Sequence, residues 1–194
     1  GWKAGDSDAG NELVRRHFDA LYCFFRTKVD SGHEDLIQST FLACVRSHHQ
    51  FRGESTFRTF LFAIAKNELY RSFRGKKREF LAFDPEQISL RDIAPGPSTV
   101  VTEKEEQRLL LEALRRIPLE MQITLELHYW EGMSTRELGE ILDIPQGTVK
   151  SRLRRGREAL EGALTEIAAN SEQLQNTMTN LEVWAKSIRA LVGN

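Results

Sequence analysis

Cysteine is nearly absent from this sequence. Cys23 and Cys44 are its only two among 194 residues, and both lie inside apolar runs. That excludes a disulfide-stapled scaffold. No signal-peptide pattern is read at its start, so buried free thiols in a reducing cytosol are expected. Long hydrophobic runs are also missing. None approaches the roughly 20 apolar residues of a membrane-spanning helix, so no membrane insertion is expected. The five histidines (His17, His33, His48, His49 and His128) form no HExxH pattern, no CxxC accompanies them, and their spacing suits no metal. His48 and His49 are neighbours on a helix and point to different faces. A Gly-rich phosphate loop is absent too. These gaps argue against an enzyme: no catalytic residue, metal or cofactor is expected.

What remains is helical. The chain is 40% hydrophobic, enough for real cores, while strand signals are weak. The net charge of −1 hides a marked asymmetry. Residues 66–78 hold six cations against one acid, and residues 81–106 hold six acids against two cations. Five more cations fall between Lys150 and Arg157 with no acid before Glu158. Two basic patches with an acidic segment between them suggest two contacts with a polyanion.

The first half reads as consecutive amphipathic helices. "NELVRRHFDALYCFFRTKV" puts Leu13, Phe18, Leu21, Tyr22 and Phe25 on one broad face. "SGHE" at 31–34 has the form of a capping box and opens "EDLIQSTFLACVRSHHQF". "FRGES" breaks that helix before a third, aromatic and basic one, "TFRTFLFAIAKNELYRSFRGKKR". Periodicity then fades. Pro85, Pro95, Pro97 and Gly96 mark a flexible linker. "TEKE" at 102–105 is read as a second capping box and "STRE" at 134–137 as a third, with helices expected over 103–117, 119–131 and 134–142.

"STRELGEILDIPQGTVKSRLRRGREAL" has the form of a helix-turn-helix. Leu138 and Leu142 bury its first helix, and Gly139 is small where two helices cross closely. Ile144 plugs the turn, and Pro145 suits a helix start. Val149, Leu153 and Leu160 form a buried seam. Gly147, Lys150, Ser151 and Arg154 share another face, flanked by Arg152 and Arg155. Such a helix docks by its seam and enters a major groove by its basic face. Its Arg and Lys side chains can pair with guanine edges or phosphate oxygens. Asp143 stands where many helix-turn-helix turns carry glycine, and Gly156 interrupts the second helix at a cost of roughly 1 kcal/mol relative to alanine.

That last motif resembles region 4 of an extracytoplasmic-function (ECF) sigma factor. "DLIQSTFLACVRSHHQFRGESTFRTFLFAIAKNELYRSFRGKKR" resembles region 2 of the same family. The two occur in family order and, with the N-terminal helix, cover roughly residues 10–165. The resemblance implies an all-α protein of two small helical domains joined by the linker. Residues 1–80 would be region 2, 81–101 the linker, 102–169 region 4 and 170–194 a C-terminal helical extension. It implies a cytoplasmic bacterial initiation factor that binds core RNA polymerase and directs it to promoters. Region 2 would melt and read the −10 element through Arg52, Gly53, Glu54, Ser55, Arg58, Lys66, Asn67, Tyr70, Arg71 and Arg74. There, aromatics would stack bases while cations hold the backbone. Phe57, Phe60 and Phe62 are read mainly as core. Region 4 would read the −35 element through Thr148, Lys150, Ser151, Arg152, Arg154 and Arg155. Asp35, Gln38 and Ser39 would meet the β′ clamp helices, with the β flap as a second polymerase contact and Leu36, Ile37 and Phe41 as core. An anti-sigma factor is a further partner of the family.

Read from the residues alone, a helix-turn-helix regulator acting on duplex DNA without polymerase is the alternative. The aromatic-basic helix in the first half argues against it. A last amphipathic stripe, Leu174, Met178, Leu181, Trp184, Ile188 and Leu191, closes the chain. It is expected to dock within the chain, either packing on region 4 or acting as a latch.

Overall fold

A computed structural model describes residues 1–2, 5–76, 83–94, 100, 104–168, 183 and 186. Among them regular structure is helical, with one isolated bridge between Ser89 and Pro118. Three helices, α1 (Ser7–Arg26), α2 (His33–Arg46) and α3 (Phe57–Lys76), make the first unit, with a 3-10 turn at His48–Gln50. The second unit holds α5 (Glu105–Leu114), α6 (Leu119–Tyr129), α7 (Thr135–Leu142) and α8 (Gln146–Ile167). Between them lies α4 (Leu90–Ile93). Of the C-terminal extension only Val183 and Lys186 are described, both helical and exposed. The apolar stripe lies outside the described residues.

The helix starts follow local chemistry. The carboxylate of Asp6 caps α1 by accepting from the N–H groups of Asp8 and Ala9 at 3.0 and 3.1 Å. The expected box at Ser31 does not form. Gly32 is the N-cap of α2, in a left-handed conformation with φ of 78°. Ser31 therefore falls one residue outside the capping position, and Glu34 is in the first turn rather than at its third residue. At α5 the N-cap is Lys104, with no side-chain cap; Thr102 lies outside the described residues. The third box is present. Ser134 Oγ accepts from the Glu137 N–H, and the Glu137 carboxylate accepts from the Ser134 N–H at 2.9 Å. That backbone donor holds the Glu137 carboxyl below the usual carboxylate range.

The described part of the linker is structured rather than loose. Ser89 and Asp92 form another capping box around α4, and Leu90 is fully buried. The Leu119 N–H donates to the Ile88 carbonyl at 2.9 Å, and Arg115 Nη2 donates to the Ala94 carbonyl at 2.7 Å. These bonds satisfy backbone groups that a linker normally leaves to water.

In α1 the buried residues are Ala20, Leu21, Cys23, Phe24 and Phe25. Phe24 thus replaces Phe18 on the expected apolar face, and Phe18 is exposed. Both cysteines are buried, and neither is in a disulfide. Burial pushes the Cys44 thiol up to about 12, so it behaves as a small hydrophobe.

Two apolar clusters fill the interior. One belongs largely to the second unit and includes Leu110, Leu114, Leu125, Trp130 and Leu160. The other crosses between the units. It joins Phe25, Leu61, Phe62 and Leu69 to Leu119, Ile123, Leu127, Leu138 and Val149. Burying each such side chain contributes about 1.5–3 kcal/mol, so the two units share a core.

The α7–α8 turn explains its own sequence. Asp143 adopts φ 56° and ψ 47°, the left-handed region where glycine is commonest and Asn or Asp is next. The Ile144 N–H then donates to the Gly139 carbonyl at 3.0 Å. A Cβ on Gly139 would lie 2.9 Å from the Ile144 carbonyl oxygen. Glycine is thus required by the returning turn, not by a helix crossing. Gly139→Ala should gain about 1 kcal/mol in helix propensity and lose about 1–3 kcal/mol to overpacking against backbone. The expected result is a lower melting temperature by calorimetry. An unchanged or raised one would show that the turn yields freely.

Candidate nucleic-acid interface

The second helix of the helix-turn-helix is held from beneath. Val149 and Leu160 are fully buried, and Leu153 is half-buried against both apolar clusters. This orientation leaves Lys150, Arg154 and Arg155 exposed on one side of α8. Thr148 and Ser151 are half-buried beside them, and Ser151 Oγ donates to the Thr148 carbonyl at 2.9 Å. Arg154 pairs with Glu158 at 2.6 Å, with both side chains largely exposed. Such a pair is worth about 0–1 kcal/mol and exchanges readily for a phosphate or base.

Arg152 is not on that face. It is 5% exposed, and it donates to Glu120 at 2.6 Å and to Glu86 at 2.7 Å. This corrects its assignment as a groove contact. The helical period already held the signal: 149, 152, 156 and 160 follow spacings of three and four, so Arg152 shares the buried face with Val149, Gly156 and Leu160. Gly156 belongs there because a Cβ would meet Leu125 at 3.4 Å. At the front of α8, Gln146 Nε2 donates to Thr135 Oγ1 at 2.8 Å, tying the starts of the two helices together.

In the first unit the loop residues Arg52, Gly53 and Glu54 are exposed and Ser55 is half-buried. Gly53 has φ of 80°, a left-handed conformation that glycine adopts without strain. On α3, Asn67, Arg71 and Arg74 are exposed, and Arg71 pairs with Glu68. Phe62 is buried, while Phe57 and Phe60 are half-buried. Three expected contacts are covered by the second unit. Arg58 pairs with Glu131. The Tyr70 hydroxyl donates to Glu120. Lys66 is 9% exposed, with its ammonium 5.8 Å from the Tyr70 ring centre. Burial lowers the Lys66 pKa, and the Glu120 charge opposes that shift. Burial and the same carboxylate raise that of Tyr70.

The carboxylates of Glu120, Glu126 and Glu131 had no place in the sequence reading. Glu120 and Glu126 stand out as the two acids of "LEMQITLELHY", while Glu131 lies just beyond it. Asp35 and Gln38 are exposed on α2, and Ser39 is half-buried. Asp35 and Gln38 line an open groove with Val14, Phe18, Leu42 and Val45, apolar residues that sequence reading did not single out as a surface. Ile37 is buried; Leu36 and Phe41 pack partly against the core. Among the described residues no cluster of His, Cys, Asp or Glu could hold a metal ion, and no helix is long and apolar enough to cross a membrane.

Comparison with known proteins places these faces in a family context. Residues 13–79 match the model of Sigma-70 region 2, and residues 107–160 match that of Sigma-70 region 4. The chain is 32% identical over 173 residues to the ECF RNA polymerase sigma-E factor of Haemophilus influenzae, covering 84% of this chain and 91% of that protein. To the sigma-E factor of Escherichia coli it is 28% identical over 172 residues, covering 84% and 90%. Two solved structures share the fold. CnrH in complex with the cytosolic domain of CnrY has a TM-score of 0.61 at 23% identity, covering 86% of this chain and 94% of that one. The sigma factor RpoE of Bartonella quintana, in complex with the anti-sigma factor NepR, has a TM-score of 0.61 at 22% identity, covering 81% and 97%.

Proposed function

This chain belongs to the extracytoplasmic-function sigma factors and directs RNA polymerase to promoters; on that premise we propose which of its residues perform each step. The observation that carries the reading is the docked α8, whose buried Val149 turns Lys150, Arg154 and Arg155 outward together. These three residues, with Thr148 and Ser151, read the −35 duplex from the major groove. Arg52, Gly53, Glu54 and Ser55 form the loop that captures an extruded −10 base. Asn67, Arg71 and Arg74 hold the strand, joined by Arg58, Lys66 and Tyr70 once the units part. Stacking on aromatics and pairing with cations offset the few kcal/mol lost per unstacked base.

Asp35, Gln38 and Ser39, with the groove of Val14, Phe18, Leu42 and Val45, meet the β′ clamp helices. The second unit contacts the β flap. Residues 1–80, 81–101 and 102–169 act as region 2, linker and region 4, with 170–194 as an extension. The protein has no catalytic role of its own and works in the cytoplasm with polymerase. An anti-sigma factor is its proposed regulator, since RpoE of the same fold is found in complex with the anti-sigma factor NepR. A free-standing regulator of duplex DNA is disfavoured, because it does not require a region 2 preceding region 4.

Run-off transcription with core polymerase on a genomic promoter library tests the whole reading. Joint Asn67→Ala and Arg71→Ala changes should lower permanganate reactivity at the −10 element while leaving polymerase pull-down intact. Asp35→Ala should do the reverse. If both sets lower only polymerase binding, the division of the first unit into two faces is wrong.

A further inference from the structure

Trp2 lies outside residues 13–79, the part matched by Sigma-70 region 2, yet its indole meets both ends of the loop at 52–55. Before that loop stands His48, in the 3-10 turn; after it stands Phe57, the first residue of α3. The Trp2 ring meets Phe57 edge-on, with centres 5.2 Å apart and planes at 78°. It meets His48 in the same way, at 6.4 Å and 73°. Edge-to-face contact is a favoured geometry for aromatic pairs. Phe57 is held in turn by His17 of α1 at 5.4 Å and by Phe51 at 6.0 Å. His48 is fixed from its own side, since its Nδ1 donates to the Val45 carbonyl at 2.8 Å.

The indole has a built seat. The Gly5 N–H donates to the Trp2 carbonyl at 3.0 Å and the Asp6 N–H to the Gly1 carbonyl at 3.2 Å, which turns the chain back before α1. Asp6 then caps that helix. Gly10, in the first turn of α1, lets the ring close on the helix: a Cβ there would lie 3.4 Å from Trp2 Cδ1. Trp2 also lines an open cavity of about 420 Å³ with Phe41, Cys44 and Val45. Loss of its ring would therefore widen an opening already present rather than hollow a closed core.

We propose that Trp2 is a positioning residue for promoter opening: by joining His48 to Phe57 it holds the loop at 52–55 in its base-capturing shape. The inference rests on reading that loop as the place where an extruded −10 base is taken. A loop that must order itself as the base enters loses part of its binding free energy to that ordering. Fixed ends reduce the loss, because a short loop between two anchors has few alternative paths. Trp2 acts through its two neighbours rather than on the base. Its loss should weaken base capture while leaving polymerase docking by α2 and duplex reading by α8 unchanged.

The test uses holoenzyme assembled from the full chain and core polymerase, with a labelled non-template strand from a promoter recovered in the run-off library. An abasic scan of the −10 element first finds the base whose removal weakens wild-type binding most. Trp2→Ala should weaken binding of the intact strand by about three- to tenfold, as expected for the loss of one or two aromatic pairs. Binding of the strand made abasic at that position should not change, because the captured base is already gone. Trp2→Phe keeps a ring against Phe57 and should recover most of the loss. Calorimetry of the full chain checks that each variant folds. Should Trp2→Ala unfold, Gly10→Val crowds the indole off its seat without removing it and should give the same pattern. Equal weakening on intact and abasic strands overturns the proposal, as does unchanged binding of the intact strand. Joint Arg52→Ala and Glu54→Ala changes separate the two readings. If they weaken binding of the intact strand and Trp2→Ala does not, the loop captures a base and only the role of Trp2 is lost. If they leave it unchanged, or the scan finds no such base, the loop reading falls and the inference with it.

Discussion

Alanine at both Lys150 and Arg154 is expected to weaken binding to a −35 duplex by at least about tenfold and to abolish promoter-dependent transcription. A base-reading arginine is worth about 1–3 kcal/mol and carries sequence preference. A phosphate-binding lysine weakens all sequences evenly and reduces the salt slope by about one. Arg154 gives up little to make such a contact, because its partner Glu158 is itself exposed. The fold should survive both changes, since neither side chain is buried. Anisotropy against a panel of −35 duplexes at several salt concentrations distinguishes the two roles. Unchanged affinity across the panel would remove α8 as the reading helix.

The largest effect on stability is expected at Lys28. Its side chain is fully buried, bonded to Glu126 and to the Phe24 carbonyl, and its ammonium lies 4.2 Å from the Phe24 ring centre. Burial lowers its pKa, while the Glu126 charge supports the charged form. Lys28→Met would leave Glu126 charged, buried and without its cation. Breaking such a pair on one side costs about 3–5 kcal/mol. The double change Lys28→Met with Glu126→Gln should recover much of that loss. Glutamine can still accept from Gln122, which bonds Glu126 at 2.7 Å, and can donate its amide N–H to the Thr27 hydroxyl, which lies 3.2 Å from the other carboxylate oxygen. Urea unfolding of the wild type, both single variants and the double variant gives the coupling directly. Equal stability of Lys28→Met and wild type would mean that the pair is solvated and the units are apart in solution.

Much of the architecture follows from the order of residues alone. The capping box at Ser134, the apolar seam of Val149 and Leu160 and the pattern of α6 and α7 are local matters. Each depends on residues three or four apart along one helix, so sequence suffices. The exposure of Lys150 and Arg154 follows from the same period. Where local cues competed, the reading failed. Ser31 lost its capping place because Gly32 turned the chain one residue later, and the face of α1 settled on Phe24 instead of Phe18. The linker was read as loose from its prolines, yet Leu90 found a buried site and Ser89 capped a helix.

What no spacing could supply is how charges pair across the chain. Lys28 and Glu126 are separated by 98 positions, Arg58 and Glu131 by 73, and Tyr70 and Glu120 by 50. Periodicity says which side of a helix a residue takes, not which distant helix will face it. Sequence thus determined two basic helices on two helical units, along with the family to which they belong. The tertiary structure decided that Arg58, Tyr70 and Arg152 meet carboxylates, because the apolar faces of both units are buried together and bring those groups with them.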